Sequence, residues 1–439
     1  MLRRMSAILA LLSAIAVGLA MSAPASAESD KSEAVMQNWY HLVLELVRHT
    51  PTYTPPVASR AFAYLGVTAF EAEAGGPGPL QSLAGQLNGL APTPARMAGE
   101  AYDDAVILDA ALAFSAQNFF SNTGPTGQRA LAALKKKSSA EVTAGVPADI
   151  AARSRAYGEA VAAHILDWSK DDGGAVIENM GFPMTYEPGK APGHWVPTSA
   201  IIQQQAPLLP NWGNNRPFAM PEALACPLAS PIAYSEEKSS EFFKQAKEVF
   251  DIKANLTPEQ RGIARFWSDD AMLTTTPPGH WISIALQILA RDNRGAEDYA
   301  DILARLGVAQ ADAFIGCWKG KYQYNLLRPV TYIRKLVDPK WEPVLNTPPF
   351  PEYPSGHSTQ SGAAAGVMTA FFGDNFAFED ATYVKDGIKP RAFASFSAAA
   401  DEAAVSRLYG GIHFRAAVEN GQAQGRCIGQ YAVSLKTRK

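Results

Sequence analysis

Strand signals are nearly absent from this chain of 439 residues, and so are the marks of a metal-thiolate, nucleic-acid-binding or membrane-spanning protein. Only Cys226, Cys317 and Cys427 are present, without the paired spacing of a thiolate metal site. Three buried thiols are expected, with one bridge and one free thiol as the alternative. Charged residues make up 18% of the chain and the net charge is −3, which argues against a nucleic-acid surface and against a polybasic membrane patch. Past the N-terminal segment the longest apolar runs, such as Ile282 to Ala290, are too short to span a bilayer. No repeat of fixed period occurs.

What is there begins with a leader. Met1 to Ala27 carries Arg3 and Arg4, an apolar run from Ala7 to Ala20 and a small-x-small site at Ala25-Ser26-Ala27, the pattern of a secretory signal peptide. The mature protein is therefore expected to be exported, periplasmic or secreted. Its removal takes two basic residues and no acidic one, so the formal charge moves from −3 to −5. At 47% hydrophobic, the remainder suffices for one large or two medium cores.

Apolar residues recurring at three and four predict helices over residues 33–49, 57–74, 95–118, 126–138, 148–170 and 235–250. Thr257-Pro258-Glu259-Gln260 is a capping box with proline in the first turn, opening a helix that runs to Asp270. Further helices are expected at 277–290, 296–305 and 308–327, the last ended by Pro329. Ten of the 31 prolines fall between Pro183 and Pro231, among Trp195 and Trp212, which favours an ordered arm over a plain linker. The fold class is all-α, with a helical half and the arm over 28–232 and a second helical half over 233–439. His41, His49 and His164 lie in periodic stretches without convergent partners and read as structural.

The chemistry concentrates late in the chain. Pro354-Ser355-Gly356-His357, ahead of a small-residue run, reads as the first turn of a buried helix, where backbone N–H groups lack intrahelical partners and can hold an anion. Lys321 and Arg328 are seven apart, so on one helix their angular offset is roughly 20° and both reach one ligand. Arg407 and His413 would diverge on a continuous helix, but Gly410-Gly411 can turn the second back. Together these supply one Lys, two Arg, two His and a helix N-terminus for a tetrahedral oxyanion.

Lys-x6-Arg-Pro, Pro-Ser-Gly-His and Ser-Arg-x5-His, in this order, resemble the three-part signature of the type 2 phosphatidic acid phosphatases and the vanadium-dependent haloperoxidases. The flanks Arg328-Pro329-Val330-Thr331-Tyr332-Ile333 and Tyr409-Gly410-Gly411-Ile412-His413-Phe414 are similar to soluble bacterial haloperoxidases. The resemblance implies paired helical bundles around one oxyanion site, with vanadate as cofactor, held by Lys321, Arg328, Ser355, Gly356, His357, Arg407 and His413. His413 would be the axial ligand, His357 a proton carrier and Lys321 the group polarising peroxide, with Trp318 and Phe350 beside the cofactor. Hydrogen peroxide, a halide (iodide above the others) and small organic acceptors are the implied partners. A soluble exported acid phosphatase using His413 as nucleophile, and a degenerate oxyanion-binding protein, remain as alternatives. One departure matters: the phosphatase pattern has an Asp four residues after the last His, and here that position is Ala417. Asp269 and Asp270 are the candidates for a replacement carboxylate, with plain helix-end acids as the alternative reading of both.

Overall fold

The computed structural model describes residues 25–177, 186–187, 189–198 and 206–439. The expected leader lies outside them except for its last three residues, which open the first helix; the start of the proline-rich stretch also lies outside. Fourteen α-helices occur among the described residues: α1 Ala25–Arg48, α2 Pro55–Ala74, α3 Asp104–Phe119, α4 Pro125–Thr143, α5 Ala148–Ser169, α6 Gly174–Ile177, α7 Glu241–Ala254, α8 Pro258–Phe266, α9 Thr276–Arg291, α10 Ala296–Tyr324, α11 Pro329–Leu336, α12 Gly356–Phe372, α13 Phe396–Tyr409 and α14 Arg415–Val433. The one sheet among the described residues pairs β1 (Phe378–Asp380) with β2 (Arg391–Phe393), antiparallel, Glu379 opposite Ala392. The all-α expectation holds.

Caps decide where several helices start, and they correct the sequence-based boundaries. Asp103 accepts from the Val106 N–H and Ser240 from the Phe243 N–H, so α3 and α7 begin there rather than at residues 95 and 235. The Thr257–Gln260 capping box forms as expected, but α8 stops at Phe266. Helices predicted at 296–305 and 308–327 are one helix of 29 residues, α10. Gly307, at the expected break, is instead a point of close approach: a Cβ there would lie 2.9 Å from the Ala63 Cα of α2. The C-cap residue Asn325 (φ 46, ψ 39) then ends α10, and Arg328 is the N-cap of α11. Lys321 and Arg328 therefore do not share a helix face, as their spacing had suggested.

α2 is buried nearly all round, from Pro56 to Ala72, as expected of a central helix. α12 is equally enclosed and packs on α14 at a distance only glycine permits, since a Cβ on Gly425 would stand 1.9 Å from the Thr359 carbonyl oxygen. One continuous buried cluster runs from Val35 of α1 to Ala432 of α14, through Leu303 and Phe314 of α10.

The described part of the proline-rich stretch is an ordered arm. Phe218, Ala219 and Met220 give their N–H groups to the Asp312 carboxylate of α10 at 2.6, 2.9 and 2.9 Å, and Trp195 donates its N–H to the Asn325 carbonyl at 2.8 Å. Leu208 bonds Pro349 through its N–H, while its carbonyl accepts from Trp318 Nε1 and the Tyr322 hydroxyl. The expectation of three thiols fails: Cys226 of the arm is disulfide-bonded to Cys427 of α14, and only Cys317 is free. Their sequence separation of 201 had hidden the pair. No described helix is long and apolar enough to cross a membrane.

Candidate active site

A cavity of about 410 Å³ opens between the loop 268–273, the segment 345–350, the start of α12 and the turn between α13 and α14. Its polar floor is Gly356, His357, Arg407 and His413, with Asp269 and Asp270 at the side. Apolar side chains make the walls, among them Phe314, Trp318 and Phe350. Lys321, Arg328 and Ser355 stand behind this surface.

Ser355 is the N-cap of α12, making Gly356 the first helical residue; Pro354 lies just outside. The Ser355 Oγ accepts from the Ser358 N–H and hydroxyl, leaving its own proton uncommitted. The Gly356 and His357 N–H groups belong to the first turn and make no hydrogen bond among the described residues. These are the donors from which the sequence reading built its oxyanion cradle.

His413 is 3% exposed and fixed from both sides. Arg328 Nη1, which can only donate, lies 3.1 Å from His413 Nε2, so that nitrogen is the acceptor. Nδ1 then carries the proton and gives it to Glu352 Oε1 at 2.8 Å; the same oxygen accepts the Phe414 N–H at 2.9 Å. Burial, reinforced by Arg328 and Lys321, holds His413 well below the usual histidine range, which keeps Nε2 an unprotonated electron-pair donor. Burial pushes Glu352 up to about 7, against Arg328 and the Phe414 N–H. Glu352, not Asp269 or Asp270, replaces the carboxylate missing at Ala417. Its only sequence signal was an acid flanked by Pro351 and Tyr353 just before the motif; the Ala417 carbonyl instead accepts the Ser355 N–H at 3.0 Å.

The three cations are buried and none is hydrogen-bonded to a carboxylate among the described residues, although Glu352 stands near Lys321 and Arg328, and Asp269 and Asp270 near Arg407. Lys321 Nζ donates to the carbonyls of Pro351, Glu352 and Pro354 at 3.0, 3.1 and 2.5 Å. Arg328 donates to the Phe350 carbonyl through Nε and Nη2, and to that of Ile412 through Nη1 at 2.8 Å. These bonds pin the segment carrying Phe350 and Glu352. Arg407 is anchored by Nε on Ser406 Oγ at 2.9 Å and by Nη2 on the Trp267 carbonyl. None of the three forms an ion pair with a carboxylate among the described residues. Burial pulls Lys321 down to about 7 and both arginines to about 10.

His357 reaches the cavity with its ring 18% exposed, and its Nε2 lies 3.6 Å from Asp269 Oδ2. Burial, and then Arg407, pull it down to about 4. The Trp318 and Phe350 rings meet at a 50° tilt with centres 4.9 Å apart, and Lys321 Nζ and Arg328 Cζ each lie 5.1 Å from the Phe350 ring centre. Sequence reasoning missed His280, Asp380 and Tyr383, which stand behind Asp269; only the fold brings Asp380 to residues about a hundred positions earlier.

Residues 301–439 match the family model described as the VCPO second helical-bundle domain. Among curated proteins, the vanadium chloroperoxidase of Curvularia inaequalis is 31% identical over 141 residues, which are 26% of this chain and 23% of that protein. The crystal structure of a bacterial vanadium-dependent iodoperoxidase superposes with a TM-score of 0.83 at 36% identity, covering 94% of this chain and 97% of that one. A bacterial vanadium-dependent chloroperoxidase shares the fold at 17% identity in its apo form (TM-score 0.67, 88% of this chain and 94% of that one). Its holo form matches at 18% identity (TM-score 0.65, 89% and 95%).

Proposed function

Because this chain belongs to the vanadium-dependent haloperoxidases, peroxide-dependent oxidoreductases that take vanadate as cofactor, we propose that it oxidises iodide with hydrogen peroxide to hypoiodous acid. The observation that carries this reading is the set of three buried cations without carboxylate partners around an unprotonated His413 Nε2. Burying cations whose nearest carboxylates stand off from them is costly, and a tetrahedral anion within hydrogen-bond reach relieves that cost.

The residues fit vanadate. Nε2 of His413, once released by Arg328, would be its protein ligand, and the Gly356 and His357 N–H groups, the Ser355 hydroxyl and Arg407 would hold its oxygens. Lys321 and Arg328 add positive potential from behind. Bound vanadate supplies Lewis-acid polarisation of the peroxide O–O bond. Glu352 keeps the His413 ring in one tautomer and orientation. Neutral His357, with Nε2 turned to Asp269, has Nδ1 left to take the proton that peroxide gives up and to return it as iodide, peroxide and a proton become hypoiodous acid and water. Lys321, with Nζ held on three carbonyls, acts on bound peroxide through its charge rather than through a hydrogen bond.

Iodide is favoured over chloride by the aromatic wall of Phe350 and Trp318, which suits a large, weakly hydrated halide, and by the iodoperoxidase likeness. The leader and the Cys226–Cys427 bridge support an exported protein in an oxidising compartment. One observation favours a second reading: with Glu352 behind it, His413 is also built as a nucleophile for phosphoryl transfer.

Dialysis of the apoprotein against orthovanadate should give peroxide-dependent iodide oxidation far above bromide, with little chloride turnover, and phosphate should compete with reconstitution. Activity that survives exhaustive vanadate removal and ignores phosphate would overturn the peroxidase reading. Hydrolysis of p-nitrophenyl phosphate in vanadate-free buffer, without iodide oxidation, would select the phosphatase.

A further inference from the structure

Behind the proton-exchanging histidine lies a buried chain of charge that the reaction as described leaves idle. His280, in α9, is fully buried, with Nδ1 3.0 Å from Asp269 Oδ1 and Nε2 2.7 Å from Asp380 Oδ2. A carboxylate on each nitrogen requires both nitrogens to donate, so the ring is an imidazolium. Burial pulls it toward neutrality, but the two carboxylates carry it up to about 10. Trp267 stacks on it at 4.5 Å and the Tyr383 ring meets it at 4.8 Å.

Both carboxylates are themselves fixed. Asp380 ends β1 and accepts the Thr382 N–H at 3.0 Å through Oδ1; Ala381 and Thr382 bond Gln287 and Ser283 of α9 at 2.8 and 3.0 Å. Asp269 sits at φ 50, a left-handed conformation that a non-glycine residue holds only when its surroundings fix it. Its Oδ1 takes His280 and the Tyr383 hydroxyl, so its Oδ2 alone remains, 3.6 Å from His357 Nε2. Although burial opposes it, His280 and then His357 hold Asp269 well below the ordinary carboxylate range.

We propose that His280 is a positioning residue for the peroxide reaction: gripped between Asp269 and Asp380, it turns the free Asp269 oxygen toward His357 and so fixes that ring for proton exchange. The proposal rests on the peroxidase reading. Around His357 the other charged or titratable groups are Asp270 of the same loop, Arg407 of α13 and His413 of the following turn. Around His280 itself, among the described residues, they are Asp269, Asp380 and Tyr383. A purely packing role for His280 would require neither the left-handed Asp269 nor its single free oxygen facing the cavity.

Two measurements test this. In vanadate-free protein, proton NMR should show two downfield imidazole N–H signals from one ring, retained from about pH 6 to about pH 9 and absent from His280→Gln. In the vanadate-loaded enzyme, His280→Gln should lower kcat for iodide oxidation about tenfold while the iodide KM stays within about threefold of wild type. Because His280 acts through Asp269, the double variant Asp269→Asn/His280→Gln should be no slower than Asp269→Asn alone. Losses that multiply, or a neutral His280 ring in an active enzyme, would overturn the proposal. If His280→Gln does not fold, Asp380→Asn, which alters no cavity residue, takes its place in the same cycle. The two N–H signals in a protein without iodide oxidation would instead count against the peroxidase reading.

Discussion

Arg60 in α2 and Arg328 and Arg407 in the second half are equally hidden from water, at 4%, 0% and 1% exposure, yet they are neutralised differently. Arg60 gives Nε to the Asp172 carboxylate at 2.6 Å and Nη2 to the Ser169 carbonyl at 2.8 Å, over the Tyr64 ring. The space beside it is about 10 Å³, room for about one water. Arg328 and Arg407 reach carbonyls, a hydroxyl and a histidine, but no carboxylate, and Arg407 faces a cavity of about 410 Å³. A buried cation that brings its own carboxylate is part of the frame. One that lacks it, beside open space, is waiting for an anion from outside.

The sharpest way to break this contrast is at the ligand. His413→Ala should weaken orthovanadate binding on the order of a thousandfold, about 4 kcal/mol, in equilibrium dialysis. Lys321→Ala should bind more weakly than wild type but lose more turnover than affinity. Equal affinity in wild type and His413→Ala would mean that the ligand is another atom.

Next in size come the arginines themselves. Arg60→Ala leaves Asp172 buried and unpaired, so it should cost about 3–5 kcal/mol in denaturant unfolding without changing vanadate affinity. Arg407→Met breaks no direct ion pair, so the vanadate-free protein should lose less stability than with Arg60→Ala while vanadate binding falls. Comparable destabilisation by the two substitutions would erase the distinction drawn between the regions. Glu352→Gln, which keeps the shape and removes the charge behind His413, should reduce vanadate affinity or turnover about 10–100-fold.

The smallest effect expected is one of pH. Lys321 is lowered from its ordinary value to about 7 by burial, so above that pH the folded protein holds fewer protons there than the unfolded chain. Stability of the vanadate-free protein should therefore rise from about pH 7 toward pH 10, and oxyanion affinity should fall over the same range as the ammonium is lost. Lys321→Met should flatten both curves relative to wild type. Comparing the two proteins cancels the titration of the anion itself, and curves of equal slope would place the Lys321 transition elsewhere.

The site was legible in the sequence where its parts are local. Ser355-Gly356-His357 forms a helix N-terminus because the cap and the small residues are adjacent, and Gly411, at φ 75, turns the chain to bring His413 back. Arg328 reached the right place by a different route from the one its spacing implied, because Asn325 ended α10 one turn past Lys321. Glu352 and the Asp269–His280–Asp380 chain were invisible because the Glu352–His413 and His280–Asp380 contacts join residues 61 and 100 positions apart, and the expected carboxylate position holds Ala417. Helix existence followed from periodicity. The merging of two expected helices into α10 did not, since Gly307 reads as a break until α2 is seen pressed against it.

That helix also bears on how such proteins can be recombined. α10 leans on α2 through its N-terminal half, notched at Gly307, and delivers Trp318 and Lys321 to the site from its C-terminal half. A crossover at residue 301, where the family match begins, falls inside this single rod and would make one helix inherit its two neighbourhoods from different parents. Functional chimeras should instead be joined before Ala296 with α2 carried along from the same parent, because the spacing between Gly66 and Ala304 is a contract between the halves rather than a property of either.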